Sequence, residues 1–358
     1  MRRMSRRWLD ELEADMAAVI LGDGGRRLGV AGRLDELSEA TLPGITRYWA
    51  RVGRHVGVPC EAFRGESLFH DVEPPVRSFS TSGTTGSRRG AARYSQRGMR
   101  LLELTIRTGA AALFDGLDEP IVLRLVPTAA DAPQMVMAFG MELISDTFGA
   151  ADLSAALLTR DGVDVASLCA RLDTAQASAR PVVFMGATTA FANVLDALAA
   201  DHLAWDLPPG SRMVDAGGSK GARREVTPDS LRVQAHRLLG IDSSHCTNLY
   251  GMTELAGQLY DANPETVVYT GERAKASRTG ISAEVLSAET LAAAGDGRGL
   301  LQVRDFAIID RPHHVLTGDL AIATPAGPAV VGRVARSMAR GCSLHLDAIT
   351  ATSIGRVA

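Results

Sequence analysis

Thirteen consecutive residues, Ser78-Phe-Ser-Thr-Ser-Gly-Thr-Thr-Gly-Ser-Arg-Arg-Gly90, carry seven hydroxyls, three glycines and two arginines. So few apolar side chains cannot bury the segment, and its glycines disfavour helix and strand alike. One reading is a flexible Gly/Ser linker. The other is a loop whose backbone N–H groups and hydroxyls surround phosphate oxygens. It is not the P-loop of nucleotide triphosphatases, because Ser87-Arg88 follows the last glycine of TSGTTG where that motif needs Lys-Ser/Thr. A second segment, Asn248-Leu-Tyr-Gly-Met-Thr-Glu-Leu255, sets an aromatic, a hydroxyl and a carboxylate within five residues. Tyr250 would stack on a purine, Thr253 would donate to a phosphate and Glu254 would hold Mg²⁺. The same residues also suit an ordinary strand-to-helix turn. A third, Leu316-Thr-Gly-Asp-Leu320, is either a plain type II turn or an aspartate placed to accept both hydroxyls of a ribose.

Other chemistry-bearing residues carry less. His313-His314 lie adjacent, so on a strand their side chains point apart, and no acidic cluster adjoins them. His245-Cys246 are sequence neighbours, which seldom meet in the geometry of a nucleophile and its base. Cys60, Cys169, Cys246 and Cys342 are scattered without a C-x-x-C pair, which argues against a zinc site and a disulfide framework. Trp8, Trp49 and Trp205 read as core or interface residues. Lysine occurs only at positions 220 and 275. A catalytic lysine therefore has few candidates.

These residues need a scaffold. The 358-residue chain is 46% hydrophobic and 22% charged, ample for a sizeable core in one large domain or a large and a small one. A net charge of −3 gives no reason to expect nucleic acid or an anionic membrane as partner. No signal core follows the basic start, and no run reaches the ~18 apolar residues of a membrane span, so a reducing, cytoplasmic compartment is expected.

Leu9, Leu12, Met16, Val19 and Ile20 recur every three or four residues and predict an amphipathic helix over 8–20. Helix is expected again over 34–56 with a break at Pro43-Gly44, and over 96–114, 153–158, 163–177, 190–203 and 229–239. The apolar runs at 121–126, 181–185 and 211–215 predict buried strands between them. This alternation implies an α/β domain with a largely parallel sheet, whose ligands bind beyond the carboxyl ends of its strands. Past residue 265 the segments VVYTG, GLLQVRDF, HHVLTGDLAIAT and AVVGRV predict short strands with tight turns. The division expected is an α/β core over 1–265 and a β-rich subdomain over 266–358.

Taken in order, STSGTTG, YGMTE and TGDL resemble the signature set of the AMP-forming adenylation enzymes: acyl- and aryl-CoA ligases, luciferases and peptide synthetase adenylation domains. The resemblance implies the fold of their N-terminal domain, largely parallel sheets with flanking helices, and the cofactors ATP and Mg²⁺. It implies a phosphate loop of Thr81, Ser82, Gly83, Thr84, Thr85, Gly86 and Arg88, with further nucleotide contacts from Gly217, Gly218, Tyr250, Gly251, Asp319 and Arg333. Thr253 and Glu254 would be catalytic, Glu254 as the metal ligand.

More narrowly, AGGSK at 216–220, NLYGMTELAGQLYD, PHHVLTGDLA and VGRVARSMARGCSL resemble the LuxE-type acyl-protein synthetases. In that group the acyl group passes from acyl-AMP to a cysteine near the C-terminus, a place that Cys342 occupies. Full-length adenylation enzymes add a mobile C-terminal domain bearing a catalytic lysine. No lysine follows Asp319 here, so that domain is expected to be absent or vestigial, with Lys220 and arginines supplying its charge. The expected activity joins a small carboxylic acid to AMP with release of pyrophosphate. Acyl transfer to a thiol follows, on Cys342, a carrier protein, CoA or a partner reductase. Met185, Gly186, Ala187, Ala216 and Met252 are the expected lining of the acyl pocket. The alternatives are a catalytically degenerate scaffold that binds a nucleotide or acyl-adenylate, and a different ATP-using enzyme such as a kinase.

Overall fold

The computed structural model describes residues 4–63, 68–80, 90–159, 162–217, 226–263, 266–269, 271–295 and 297–334. The chain divides into two compact units. One comprises Met1–Thr108, Met252–Leu259 and Lys275–Ala358; the other comprises Gly109–Gly251 and Tyr260–Ala274. The boundary expected at 265/266 falls inside the last of these segments. The units interleave along the chain, which composition cannot reveal.

The second unit holds the α/β layer. Its six-stranded sheet runs Ala155–Ala156, Ile121–Leu125, Val182–Ala187, Arg212–Ala216, Cys246–Tyr250, Leu259–Tyr260 in space. The first five are joined by parallel pairings. In chain order these five run 2-1-3-4-5, the arrangement of a doubly wound sheet whose order reverses between Ile121–Leu125 and Val182–Ala187. Crossovers pass through the helices Val136–Phe148, Val165–Ser178, Thr188–Ala200 and Pro228–Leu239. Every residue of Ile121–Leu125 is buried, as expected of a strand covered on both faces. Leu123 and Phe184 join Leu168, Leu172, Phe191 and Leu195 in one apolar cluster.

Three local expectations change. The stretch 153–158, expected as helix, contains instead the edge strand Ala155–Ala156. The helix-like spacing of Leu153 and Leu157 arises because both pack on the core while Ser154 Oγ accepts the Val122 N–H at 2.9 Å. Val136–Phe148, not anticipated, has no side-chain cap to announce it. The helix expected from Asp229 starts at Pro228, with Thr227 as cap accepting the Ser230 N–H at 3.2 Å.

The first unit opens with the helices Arg6–Ile20, Arg27–Thr41 and Pro43–Val52. Leu9, Leu12, Met16, Val19 and Ile20 are the buried face of the first, and Pro43 starts the third rather than merely breaking a longer one. Arg77–Ser80 and Ala91–Tyr94 pair antiparallel, Ser80 opposite Ala91, and are anchored by the buried rings of Phe79 and Tyr94 in an edge contact at 5.7 Å. A mixed five-stranded sheet joins Val58–Pro59 to Ile281–Leu286, Arg298–Asp305, His314–Ile322 and Ala329–Arg333. Gly57 lies so close to this sheet that a Cβ there would come within 2.6 Å of the Leu316 nitrogen.

His70, His313 and His314 are buried in this unit. Burial lowers all three imidazoles, His70 to about 4 and His313 to about 3. Arg304 opposes protonation of His313 and His314, and Arg311 that of His70. Asp35, 3.7 Å from His313, is raised by its own burial to about 6. The histidines have depressed values, so their contribution to stability is present above the unfolded value of 6.5 and is lost as pH falls toward 4. Asp35 has a raised value, so its contribution has the opposite sign and is lost as pH rises through about 6. Burial raises Asp305 and Asp310 as well, so their contributions carry the sign of that of Asp35, and each group changes stability by about 1.4 kcal/mol per pH unit inside its window. The histidine share is isolated by His313→Leu: relative to its value at pH 7 to 8, the Tm of the parent is expected to drop below that of the variant between pH 6 and 4.5 in scanning calorimetry.

Candidate nucleotide and acyl site

In the second unit the candidate residues stand at the carboxyl ends of three neighbouring parallel strands. Gly186 and Ala187 end one strand, Ala216 ends the next, and Gly217 follows it. Registers pair Gly186 with Asp215, Ala187 with Ala216, and Asn248 with Asp215. Gly186 is there for packing: a Cβ would lie 2.6 Å from that of Leu125. Gly217 is exposed at φ +86°, a conformation that glycine adopts without strain. Met185, expected to line the acyl pocket, is fully buried at 0% exposure, so its side chain is a packing group of the sheet. Ala187 is half-buried and Ala216 is buried at 5%.

Asp215, absent from the sequence-based set, organises these strand ends. Its Oδ2 accepts the Thr188 hydroxyl at 2.6 Å and the Asn248 side-chain amide at 2.8 Å. The same amide reaches the Gly217 carbonyl at 3.2 Å, fixing the turn that follows the strand. Asn248 is itself held through its N–H by Asp261 at 2.9 Å. Asp215, Thr188 and Asn248 carry no sequence signal of this role, because register alone brings them together. Tyr250 and Gly251 close the strand Cys246–Tyr250, Tyr250 half-buried and Gly251 exposed.

The rest of that motif lies in the first unit. Met252 and Thr253 are half-buried and Glu254 is buried. Thr317-Gly318-Asp319, expected as a tight turn, lies within the continuous strand His314–Ile322. Opposite it the register slips between Leu300 and Gln302, so the motif is a bulge. The Thr317 hydroxyl donates to the Leu301 carbonyl at 2.8 Å and accepts the Asp319 N–H at 3.2 Å. Arg333 stands opposite Asp319 on the next strand, its Nε 3.0 Å from Oδ1, with its side chain largely exposed.

Cys60 ties the two motifs together within this unit. Its thiol is pushed far up by burial, then by the carboxylates of Glu61 and Glu254, while the Gly318 N–H opposes them. A Cβ added at Gly318 would meet Glu61 Oε1 at 3.4 Å and Cys60 Sγ at 3.8 Å. Glu254 and the Thr-Gly-Asp bulge, far apart in sequence, thus share one buried neighbourhood. Among the described residues no cluster of three His, Cys, Asp or Glu side chains suits a metal. The buried carboxylate of Glu254 would suit a Mg²⁺ ion that arrives on nucleotide phosphates, since such ions take one or two protein carboxylates. The phosphate-loop residues Thr81, Ser82, Gly83, Thr84, Thr85, Gly86 and Arg88 lie outside the described residues, as do Gly218, Lys220 and Cys342.

No protein-family model matches the sequence, and no curated protein matches it. Solved structures do. 2-Hydroxyisobutyryl-CoA ligase in complex with 2-HIB-AMP and CoA aligns with a TM-score of 0.60 at 14% identity, over 88% of this chain and 69% of its own. McyG A-PCP complexed with phenylalanyl-adenylate aligns with 0.53 at 14% identity, over 73% and 47%. A long-chain-fatty-acid-CoA ligase from Archaeoglobus fulgidus aligns with 0.50 at 14% identity, over 75% and 53%. The chain spans about half the length of most of these structures. Its α/β fold is that of the adenylate-forming enzymes.

Proposed function

We propose that the protein activates a small carboxylic acid with ATP. The acid's carboxylate oxygen attacks the α-phosphorus, the bond to the bridging oxygen breaks, and acyl-AMP and pyrophosphate result. The observation that carries this reading is the fold shared with adenylate-forming structures, on which the charge of Glu254 reaches Cys60, the neighbour of Gly318 in the Thr317-Gly318-Asp319 bulge. Asp319 binds ribose, with Arg333 beside it, and Tyr250 and Gly251 flank the adenine. Thr81 to Gly86 and Arg88 hold the phosphates, helped by Gly217 and Gly218, while Lys220 and Thr253 neutralise and orient them. Mg²⁺, held by Glu254, supplies charge neutralisation at the phosphates. Ala187, Ala216 and Met252 border the acyl group.

The second step sends the acyl group to a thiol, with AMP as leaving group. Cys246 is raised to about 12, mainly by burial, and Cys60 and Cys169 are raised as well, so all three are poor nucleophiles at neutral pH. That favours Cys342, in the manner of the LuxE-type acyl-protein synthetases, over the other cysteines of this chain. A carrier protein, CoA or a reductase is then the onward acceptor, in a cytoplasmic setting. Among the described residues no helix is long and apolar enough to cross a membrane.

The test is ATP–pyrophosphate exchange across a panel of carboxylic acids. At least one acid is expected to support exchange and to leave hydroxylamine-labile label on the protein, and the label is lost in Cys342→Ser with exchange intact. Release of ADP in place of pyrophosphate would point to a kinase, and nucleotide binding without turnover to a scaffold.

A further inference from the structure

The short segment 305–311 carries three buried charged side chains that the chemistry above leaves unused. Asp305 is 0% exposed, and Asp310 and Arg311 are each 2% exposed. Asp305 accepts the N–H groups of Ala256 at 2.7 Å and Gly257 at 2.8 Å through Oδ2, and that of Ala307 at 3.0 Å through Oδ1. Asp310 accepts the Ser95 N–H at 2.9 Å. Arg311 Nε donates to the carbonyl of Glu254 at 3.0 Å, and Nη2 donates to the Tyr94 hydroxyl at 2.7 Å. Its guanidinium lies 4.5 Å from the Tyr94 ring centre. The Tyr94 hydroxyl donates in turn to the Leu255 carbonyl at 3.3 Å.

Two chain segments are therefore gripped at once: residues 254–257, at and after Glu254, and residues 93–95, the end of the strand that follows the hydroxyl-rich loop. The hydrogen-bond partners of Arg311 are neutral oxygens, with a longer reach to the Arg93 carbonyl at 3.5 Å. The buried carboxylates of Asp305 and Asp310 supply the opposite charge nearby, yet a buried group of charges is a weak device for stability, since well-packed apolar side chains of similar total volume often do as well. A planar fork with donors fixed in several directions is a good device for setting backbone position.

We propose that Arg311 is a positioning residue for Glu254. Its Nε fixes the Glu254 carbonyl, Asp305 fixes the two amides that follow Leu255, and Tyr94 braces the guanidinium from the other side. The Glu254 carboxylate is thereby aimed at the cation that accompanies the nucleotide. This inference rests on the proposed adenylation. It assigns Arg311, Asp305 and Tyr94 a role in metal–nucleotide binding that none of the three sequence motifs contains.

The experiment is calorimetric titration of the full chain with ATP, once with excess Mn²⁺ as the spectroscopically visible substitute for Mg²⁺ and once with EDTA. Arg311→Lys keeps the charge and loses the fork. It is expected to weaken MnATP binding about tenfold, as outer-sphere substitutions do, with ATP in EDTA unchanged. The bound Mn²⁺ resonance should broaden, and any accepted acid should keep its KM. Tyr94→Phe keeps the ring and loses the brace; it should shift MnATP binding in the same direction by less, and it carries the test if Arg311→Lys does not fold. Equal weakening of MnATP and ATP, or no weakening of either, overturns the positioning role. Wild-type protein that binds MnATP no better than ATP in EDTA overturns the metal reading of Glu254, and with it this inference, before any variant is made.

Discussion

Glu254→Ala is expected to abolish ATP–pyrophosphate exchange while leaving the protein folded. Removing a metal contact at a phosphoryl centre costs several kcal/mol of transition-state stabilisation, a loss of roughly a thousandfold or more in rate. The Tm of the variant is measured alongside, so that loss of exchange is not mistaken for unfolding. Exchange near the parental rate would show that the metal is held elsewhere. A collapsed Tm would show instead that the carboxylate is a structural group.

Asp305→Ala is expected to produce the largest loss of stability of any single substitution considered for this chain. The carboxylate is fully buried and receives three backbone N–H groups, from Ala256, Gly257 and Ala307. Alanine leaves all three donors without an acceptor in a place that water cannot easily enter. At about 1–3 kcal/mol for each buried group left unsatisfied, the total is about 4 kcal/mol after partial relaxation. That corresponds to a Tm lowered by about 10 °C. Asp305→Asn retains one carbonyl oxygen for the two amides now served by Oδ2, and it should lose less than half as much. Differential scanning fluorimetry of the two variants settles the point. Equal losses would mean that the charge matters rather than the acceptors.

The pH profile argued for the buried histidines and the effect of Asp305→Ala are both properties of the first unit taken alone. They should survive whichever acid or acceptor the protein uses. The effect of Glu254→Ala depends on the chemistry. Together the measurements separate a wrong account of the function from a wrong account of the packing.

Local sequence determined several features by itself. The spacing of Leu9, Leu12, Met16, Val19 and Ile20 determined which face of the first helix is buried, because a helix repeats its faces every three to four residues. The apolar runs around Ile121, Val182 and Met213 determined buried parallel strands, because a strand covered on both faces has no polar side to show. The order of the hydroxyl-rich loop, YGMTE and TGDL pointed to an adenylating chemistry, and the fold agrees with that class.

Tertiary structure alone decided the rest. Leu153 and Leu157 kept a helical spacing in an edge strand, because packing on the core outweighed local preference. Thr317-Gly318-Asp319 read as a turn because Gly-Asp favours one, yet strands on both sides hold it in a bulge. Met185 looked like pocket lining until its strand became central and both faces were covered. Asp215 met Thr188 and Asn248 only through the parallel register, and Cys60 met Gly318 only through the fold of the first unit. Each of these is a contact between residues far apart in sequence. Their energies depend on distances that no local pattern encodes, so the motifs announced a chemistry and the fold chose the residues that support it.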